Sequence, residues 1–254
     1  MRMDILRHAC TACRSRDGPE REMIIDIYQI RLTASSEQVR AAETVLSEDE
    51  GARFGRMTVP WRNRGIIARA TLRHLLGVRL GIDPRGISFD YGEYGKPCLA
   101  QKCEGHVSFN LAHSADLAVI AIGNGVPIGV DLEEMEDGVD HDLLARDVFS
   151  SRELAAFREM PRDQRRGAFY RAWTCKEAFV KATGEGMLRP LSTFEVAFEQ
   201  EGDVRMLTVP PEWASKPWSL IRLTAVPGFS GAIAVGSPLI IARRHEVHGL
   251  FGLS

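Results

Sequence analysis

The chain has 254 residues, 44% apolar and 26% charged, the make-up of an ordinary globular protein with a sizeable core. Lysine and arginine number 32 against 34 aspartates and glutamates, so there is no bulk attraction to nucleic acid or to an anionic membrane, and any phosphate site has to be local. No apolar run approaches the roughly 18 residues of a membrane span, and five cysteines, an odd number, give no disulfide framework and point to a reducing cytoplasm.

In chain order, "MRMDILRHACTACRSRDGPER" lacks the apolar stretch of a secretory signal, and residues 1–22 read as a disordered extension. Cys10 and Cys13 form a C-x-x-C, but a zinc site would need a second pair, for which Cys98 and Cys103 are the candidates. "MIIDIYQIRL" from Met23 is a first strand. "SSEQVRAAETVLSEDEGARFGRM" starts at a cap candidate, Ser36, and carries a broken helical pattern. In "RNRGIIARATLRHLLG", Ala68, Leu72, Leu75 and Leu76 fall on one helical face, and Gly77 reads as the stop.

"DYGEYGKP" is a turn-rich loop in which Gly95 and Pro97 flank Lys96. Strands follow in "HVSFNLAHS", "LAVIAI" and "VPIGVDLE", with His113 in the loop after the first. Gly123-Asn124-Gly125 is a hairpin signal between the last two. Pro127 marks a soft boundary between an N-terminal half (23–126) and a C-terminal half (127–254). The second half opens with helical "HDLLARDVFSSRELAAF" and continues with the long helix "RRGAFYRAWTCKEAFVKATGEG", stopped by Gly184. Strands in "TFEVAFE", "WSLIRLTAV", "GAIAV" and "LIIAR" complete it. Each half joins an arginine-led helix to mostly antiparallel strands, an α+β fold built from two similar α/β halves.

The stretch "GVDLEEM" places Asp131 and Glu133 on one face of a strand, where two carboxylates repel unless a positive group lies between them. On the long helix Trp173, Glu177 and Lys181 recur every fourth residue and share a face, with Lys176 beside them. Taken singly, each pattern reads as solvated surface: a helical Glu177–Lys181 pair, a charged strand edge. Together, three carboxylates and a lysine suit a Mg²⁺ site facing a phosphate, because Mg²⁺ takes hard oxygen ligands and a lysine offsets phosphoryl charge. His113 could donate to a phosphate, Lys96 is a lone loop lysine, and Arg53 and Arg64 sit near helix ends that usually face water.

"YGKP", "FNLAHS", "IGVDLE", "FSSRE" and "WTCKEAFVKATGEG", in this order and spacing, resemble the Sfp-type 4'-phosphopantetheinyl transferases over roughly Met23 to Val235. The resemblance implies that Asp131, Glu133 and Glu177 bind Mg²⁺ and that Lys181 sits on the pyrophosphate of coenzyme A. It also implies that His113 and Lys96 contact coenzyme A phosphates, and that Arg64 lines the nucleotide pocket. Lys176 matches the lysine before the catalytic glutamate, and Glu153 the acid of the "FS-x-x-E" segment. The implied reaction moves 4'-phosphopantetheine from coenzyme A to a serine of an acyl or peptidyl carrier protein, with Glu177 as base and Lys181 at the leaving group. The implied enzyme is a cytoplasmic monomer clasping coenzyme A between its halves, with no nucleic acid or membrane partner.

Two departures stand out. Ala112 replaces the serine the family often has before the histidine, and "SEDEG" replaces the basic residues expected before "ARF", for which Arg53 or Arg56 could compensate. Two alternatives stay open at this level: a non-catalytic carrier-binding relative and a Mg²⁺-dependent nuclease.

Overall fold

The structure, a computed structural model, describes residues 5–9, 22–100, 107–186, 189–198, 204–223 and 226–247. Its first half holds β1 (Ile5–Ala9), β2 (Met23–Arg31), α1 (Ser36–Glu43), α2 (Glu48–Gly55) and α3 (Val59–Leu80), then β3 (Phe89–Tyr91), β4 (Pro97–Leu99), β5 (Val107–Ser114) and β6 (Leu117–Asn124). β7 (Ile128–Glu134), α4 (His141–Val148), α5 (Ser151–Glu159) and α6 (Arg162–Thr183) follow. The chain then runs through β8 (Glu195–Val196), β9 (Met206–Thr208), β10 (Ser219–Leu223), β11 (Phe229–Val235) and β12 (Leu239–Val247).

A five-stranded sheet in the order β1-β12-β2-β6-β5 faces a three-stranded sheet in the order β10-β11-β7. Strand alternation explains the layering. In β6, Leu117, Val119 and Ala121 pack between the sheets with Ile25, Ile27, Ile128, Val130, Ile221 and Ile233, while Ala118, Ile120 and Ile122 turn outward onto α3. The second sheet repeats the scheme: Ala232 and Ala234 of β11 face α6, and Ile233 and Val235 face the first sheet. The result is an α+β sandwich, helix–sheet–sheet–helix, mostly antiparallel, with β12 and β2 as a parallel pair.

Several local expectations shift. Ser35, not Ser36, caps α1, because Gln38 three residues on closes a capping box with it. α3 passes through Gly77 and stops at Gly81, whose φ of 70° supplies the left-handed cap. Gly77 is instead a close-approach site, since a Cβ there would meet the Ile82 carbonyl oxygen. Gly123-Asn124-Gly125 is not a hairpin: β6 stays in the first sheet while β7 pairs antiparallel with β11 in the second. The tight hairpin joins β5 to β6 through Ala115 and Asp116, with Ala115 at φ 48°. β1 lies within the segment read as a disordered extension; it pairs antiparallel with β12, covering what would otherwise be that sheet's edge.

β7 is the edge of the smaller sheet, so alternate backbone groups along its outer side need partners from elsewhere. The first half supplies them. Lys96 Nζ donates to the Ile128 carbonyl (2.9 Å), Asn110 Oδ1 accepts from Val130 N (2.8 Å), and Ser114 Oγ accepts from Glu134 N (3.0 Å). Ala112 lies between Asn110 and Ser114 on the same face of β5 and packs with Val130 and Leu132 at 5% exposure. Its small side chain lets the strands approach.

On the other face of β7, α6 lies so close that a Cβ at Gly129 would collide with the backbone of Ala178, Lys181 and Ala182. The back of α6 is anchored by Phe179, which stacks against Phe194 (4.9 Å) and Trp218 (4.7 Å). Gly129→Ala therefore forces the helix off the strand. Overpacking costs about 1–3 kcal/mol where side chains can shift, and the upper end applies to a rigid backbone. Denaturant unfolding should show a midpoint shift of that size together with loss of activity; an unchanged midpoint would refute the tight crossing.

Candidate active site

The crossing of β7 and α6 builds the site. Gly129, Asp131 and Glu133 face the helix, because Ile128, Val130 and Leu132 alternate into the inter-sheet core. Between Ala168 and Ala182, Trp173, Glu177 and Lys181 are the residues that are not fully buried. The face read from their spacing is thus the open face of the helix. Lys181 Nζ donates to Asp131 Oδ1 at 2.5 Å. That carboxylate is 3% exposed, and its second oxygen, Oδ2, is buried with no hydrogen-bond partner. Ser114 Oγ donates to Glu133 Oε2 (3.4 Å).

All three carboxyls are held above their ordinary range. Burial is the main cause for each. For Asp131 the Lys181 ammonium opposes the shift, whereas Glu133 and Glu177 are pushed further up by the charge of Asp131. One ammonium serves three acids, and the site is short of positive charge. Among the described residues no three His, Cys, Asp or Glu side chains already converge as a metal site. The orphaned Asp131 Oδ2 and the all-oxygen donor set nevertheless fit a hard divalent cation. The residues that could hold it are Asp131, Glu133 and Glu177.

His113 lies on β5 itself, not in a following loop, and pairs with Ala118. It points away from Ala112 by strand alternation and lines a cleft of about 420 Å³ with Arg53, Phe54, Met57, Thr58, Trp61 and Gly65. Burial, then the nearby charges of Lys181 and Arg64, lower its pKa. Arg64 stacks its guanidinium over Trp61 at 5.5 Å. The cleft thus joins apolar walls to cationic groups, beside the carboxylates. Ala112 is no phosphate-facing position, since its side chain is in the inter-sheet core.

Lys176 does not belong to the site. It is fully buried on another face of α6, where its ammonium donates to Glu153 Oε2 (2.7 Å), Leu191 O (2.8 Å) and Phe194 O (2.6 Å), so all three protons are used. Glu153 is equally structural: it closes the capping box of α5 with Ser150 and accepts from Val196 N (2.9 Å). "SEDEG" has a structural reason too. Glu50 caps α2 through Ser47 and pairs with Arg73 at 2.7 Å in the interior, with Arg69 at 3.6 Å, pinning α2 on α3. Lys96 lies toward the start of β7, in a larger cleft of about 830 Å³ that also includes Val107, Phe109, Ala182 and Lys216.

Spacing alone missed Asn110, Ser114, Gly129 and Trp61. The first three sit inside the quoted motifs, yet only the pairing of β5 with the edge of β7 gives them a task. Of the cysteines considered for zinc, Cys98 is exposed and unpaired, and Cys10, Cys13 and Cys103 lie outside the described residues.

Raised carboxyl pKa values mean that the folded chain binds more protons than the unfolded one between the ordinary range and the raised values. Stability therefore falls as pH rises through that window. For Glu177 the window starts at its ordinary 4.5. Thermal melts without divalent cation should show this fall in the native chain and a shallower one in Glu177→Gln. Equal slopes would mean that the Glu177 carboxyl is not perturbed.

The comparisons agree with this geometry. The 4'-phosphopantetheinyl transferase superfamily model, ACPS, matches residues 127–233, the segment from the start of β7 into β11. The 4'-phosphopantetheinyl transferase HetI of Nostoc sp. is 36% identical over 213 residues, 83% of this chain and 87% of that protein. The 4'-phosphopantetheinyl transferase Sfp of Bacillus subtilis is 27% identical over 206 residues, 76% of this chain and 88% of that protein. Among solved structures, the holo-[acyl-carrier-protein] synthase of Thermotoga maritima aligns with a TM-score of 0.35 at 20% identity, over 47% of this chain and 66% of that one. The extent of the HetI match, along nearly the whole of both proteins, shows that the chain belongs to the 4'-phosphopantetheinyl transferase superfamily.

Proposed function

We propose that this chain transfers 4'-phosphopantetheine from coenzyme A to a serine hydroxyl of an acyl or peptidyl carrier protein, releasing 3',5'-ADP, with Mg²⁺ held by Asp131, Glu133 and Glu177. The observation that carries the reading is the Lys181–Asp131 pair with its orphaned Oδ2, set beside two further carboxyls on the one open face of α6. When bound, Mg²⁺ would neutralise charge on the pyrophosphate oxygens.

The chain's own residues account for the rest. The serine oxygen bonds to the β-phosphorus as the bond from that phosphorus to the bridging oxygen breaks, and the bridging oxygen leaves on 3',5'-ADP. A serine hydroxyl is a weak nucleophile and needs a base. Glu177, with its carboxyl raised by burial, is a better proton acceptor than an exposed glutamate and takes the hydroxyl proton. Lys181, 37% exposed at its side chain and oriented by Asp131, presents an ammonium to the oxygens that gain charge on the leaving group. Arg53, Arg64 and His113 line or flank the cleft that suits the nucleotide end of coenzyme A. An enclosing pair of halves within one chain supports a monomer, and unpaired Cys98 and Cys175 suit a reducing cytoplasm. Among the described residues no helix is long and apolar enough to cross a membrane.

Mass spectrometry of apo carrier proteins incubated with the chain, coenzyme A and Mg²⁺ tests the reading; a carrier gaining the mass of the phosphopantetheine arm supports it. Glu177→Gln keeps the side-chain volume but deletes base and ligand, and should lower kcat by about 10²-fold or more with the melting temperature retained. Near-native turnover would end the assignment. Asp131→Ala should raise the Mg²⁺ concentration needed for half-maximal activity; an unchanged metal titration would return Asp131 to a structural role.

A further inference from the structure

We infer that Lys96 is a positioning residue for this reaction, one that sets the register of α6 on β7, and not a contact to coenzyme A. The inference rests on the reading above for the identity of the reaction, and on the fold for everything else.

Lys96 sits between β3 and β4, yet its ammonium reaches two other parts of the chain at once. Nζ donates to the Ile128 carbonyl at the first residue of β7 (2.9 Å) and to the Ala182 carbonyl in the last turn of α6 (3.0 Å). Both acceptors lack partners of their own. The last carbonyls of a helix have no intrahelical donor, and α6 closes at Gly184 with a single bond from Gly184 N to Val180 O. Ile128 begins an edge strand. A cation at a helix C-terminus is favoured by the dipole as well. Lys96 thus satisfies a strand edge and a helix end with one group, three chain segments meeting at one nitrogen.

The location gives the role. Gly129 follows Ile128 and marks the closest approach of the two elements, where its Cα faces Ala178 and Ala182. Asp131 lies on the same face two residues further along, opposite Lys181, the neighbour of Ala182. A change in how Ala182 and Ile128 are held displaces Glu177 and Lys181 against Asp131 directly. With two protons committed to carbonyls, Lys96 has little left to offer a phosphate. His113, Arg53 and Arg64 are in or beside the other cleft, whose lining does not include Lys96.

The test uses Lys96→Met and Lys96→Gln in the full chain. Misplaced reacting groups cost rate more than affinity, so kcat with an apo carrier protein should fall about tenfold or more while KM for coenzyme A stays within about twofold. Calorimetric affinity for coenzyme A should also hold. Hydrogen exchange should quicken in β7 and the last turn of α6, and Lys96→Gln, which keeps an N–H donor, should recover part of kcat. A rise of about tenfold in KM and Kd for coenzyme A with kcat retained would make Lys96 a cofactor contact and overturn the inference. Retained kcat with only a lowered melting temperature would overturn it too, leaving a stability role. Should Lys96→Met not fold, the ¹⁵N shift of Lys96 Nζ in the native chain decides: unmoved on adding coenzyme A as expected, or displaced, which refutes the inference. The exchange, calorimetry and NMR readings need no turnover, so failure to modify any carrier would count against the proposed reaction and leave them to judge Lys96.

Discussion

The molecule depends on how the outer edge of β7 is satisfied. An edge strand inside a protein must find partners for its free backbone groups, and here they are side chains from the first half: Lys96 at Ile128, Asn110 at Val130, Ser114 at Glu134. The polar ladder forbids a slip between the two sheets, because a one-residue shift would orphan all three. With β7 held on that edge and stripped of a side chain at Gly129, α6 has one place to lie. Asp131, Glu133, Glu177 and Lys181 inherit their mutual arrangement from that placement.

Two lysines on α6 show how environment divides roles that chemistry leaves equal. Lys176 has no exposed surface and every proton occupied, joined to Glu153 in a buried pair that ties α5, α6 and the segment around Phe194 together. Buried pairs of this kind favour one arrangement more than they add net stability. Lys181 keeps a third of its side chain in solvent and meets a carboxylate whose other oxygen is unmatched. One is finished as a structural element, while the other is poised to share its partner with a cation or a phosphate.

Much of this was legible before any coordinates. The period of four in Trp173, Glu177 and Lys181 named the open face of α6, and alternation in "VDLE" put Asp131 and Glu133 together, because both patterns follow from backbone geometry alone. Gly184 stopped its helix as read, with φ 79°. The failures share a cause, since each needed tertiary partners. Lys176 sits one residue from Glu177, and nothing local says that Leu191 and Phe194 will take its protons. Gly123-Asn124-Gly125 has hairpin chemistry, yet the chain leaves one sheet for another there, and β7 pairs with a strand a hundred residues later. His113 looked like a loop residue because the Ala115–Asp116 turn after it carries no glycine. Ala112 looked like a lost hydroxyl until its face of β5 was known.

β12 pairs in parallel with β2, and His245 meets Asp26 at 2.9 Å across 219 positions of sequence. During synthesis the first sheet therefore lacks an inner strand until nearly the whole chain has left the ribosome. Until then β2 presents one open side, and the apolar surface of Ile25 and Ile27 awaits the second sheet. Long-range pairing of this sort slows folding and lengthens the exposure of sticky intermediates. The nascent first half is thus a natural client for chaperones, and its maturation is timed by the arrival of the last strand.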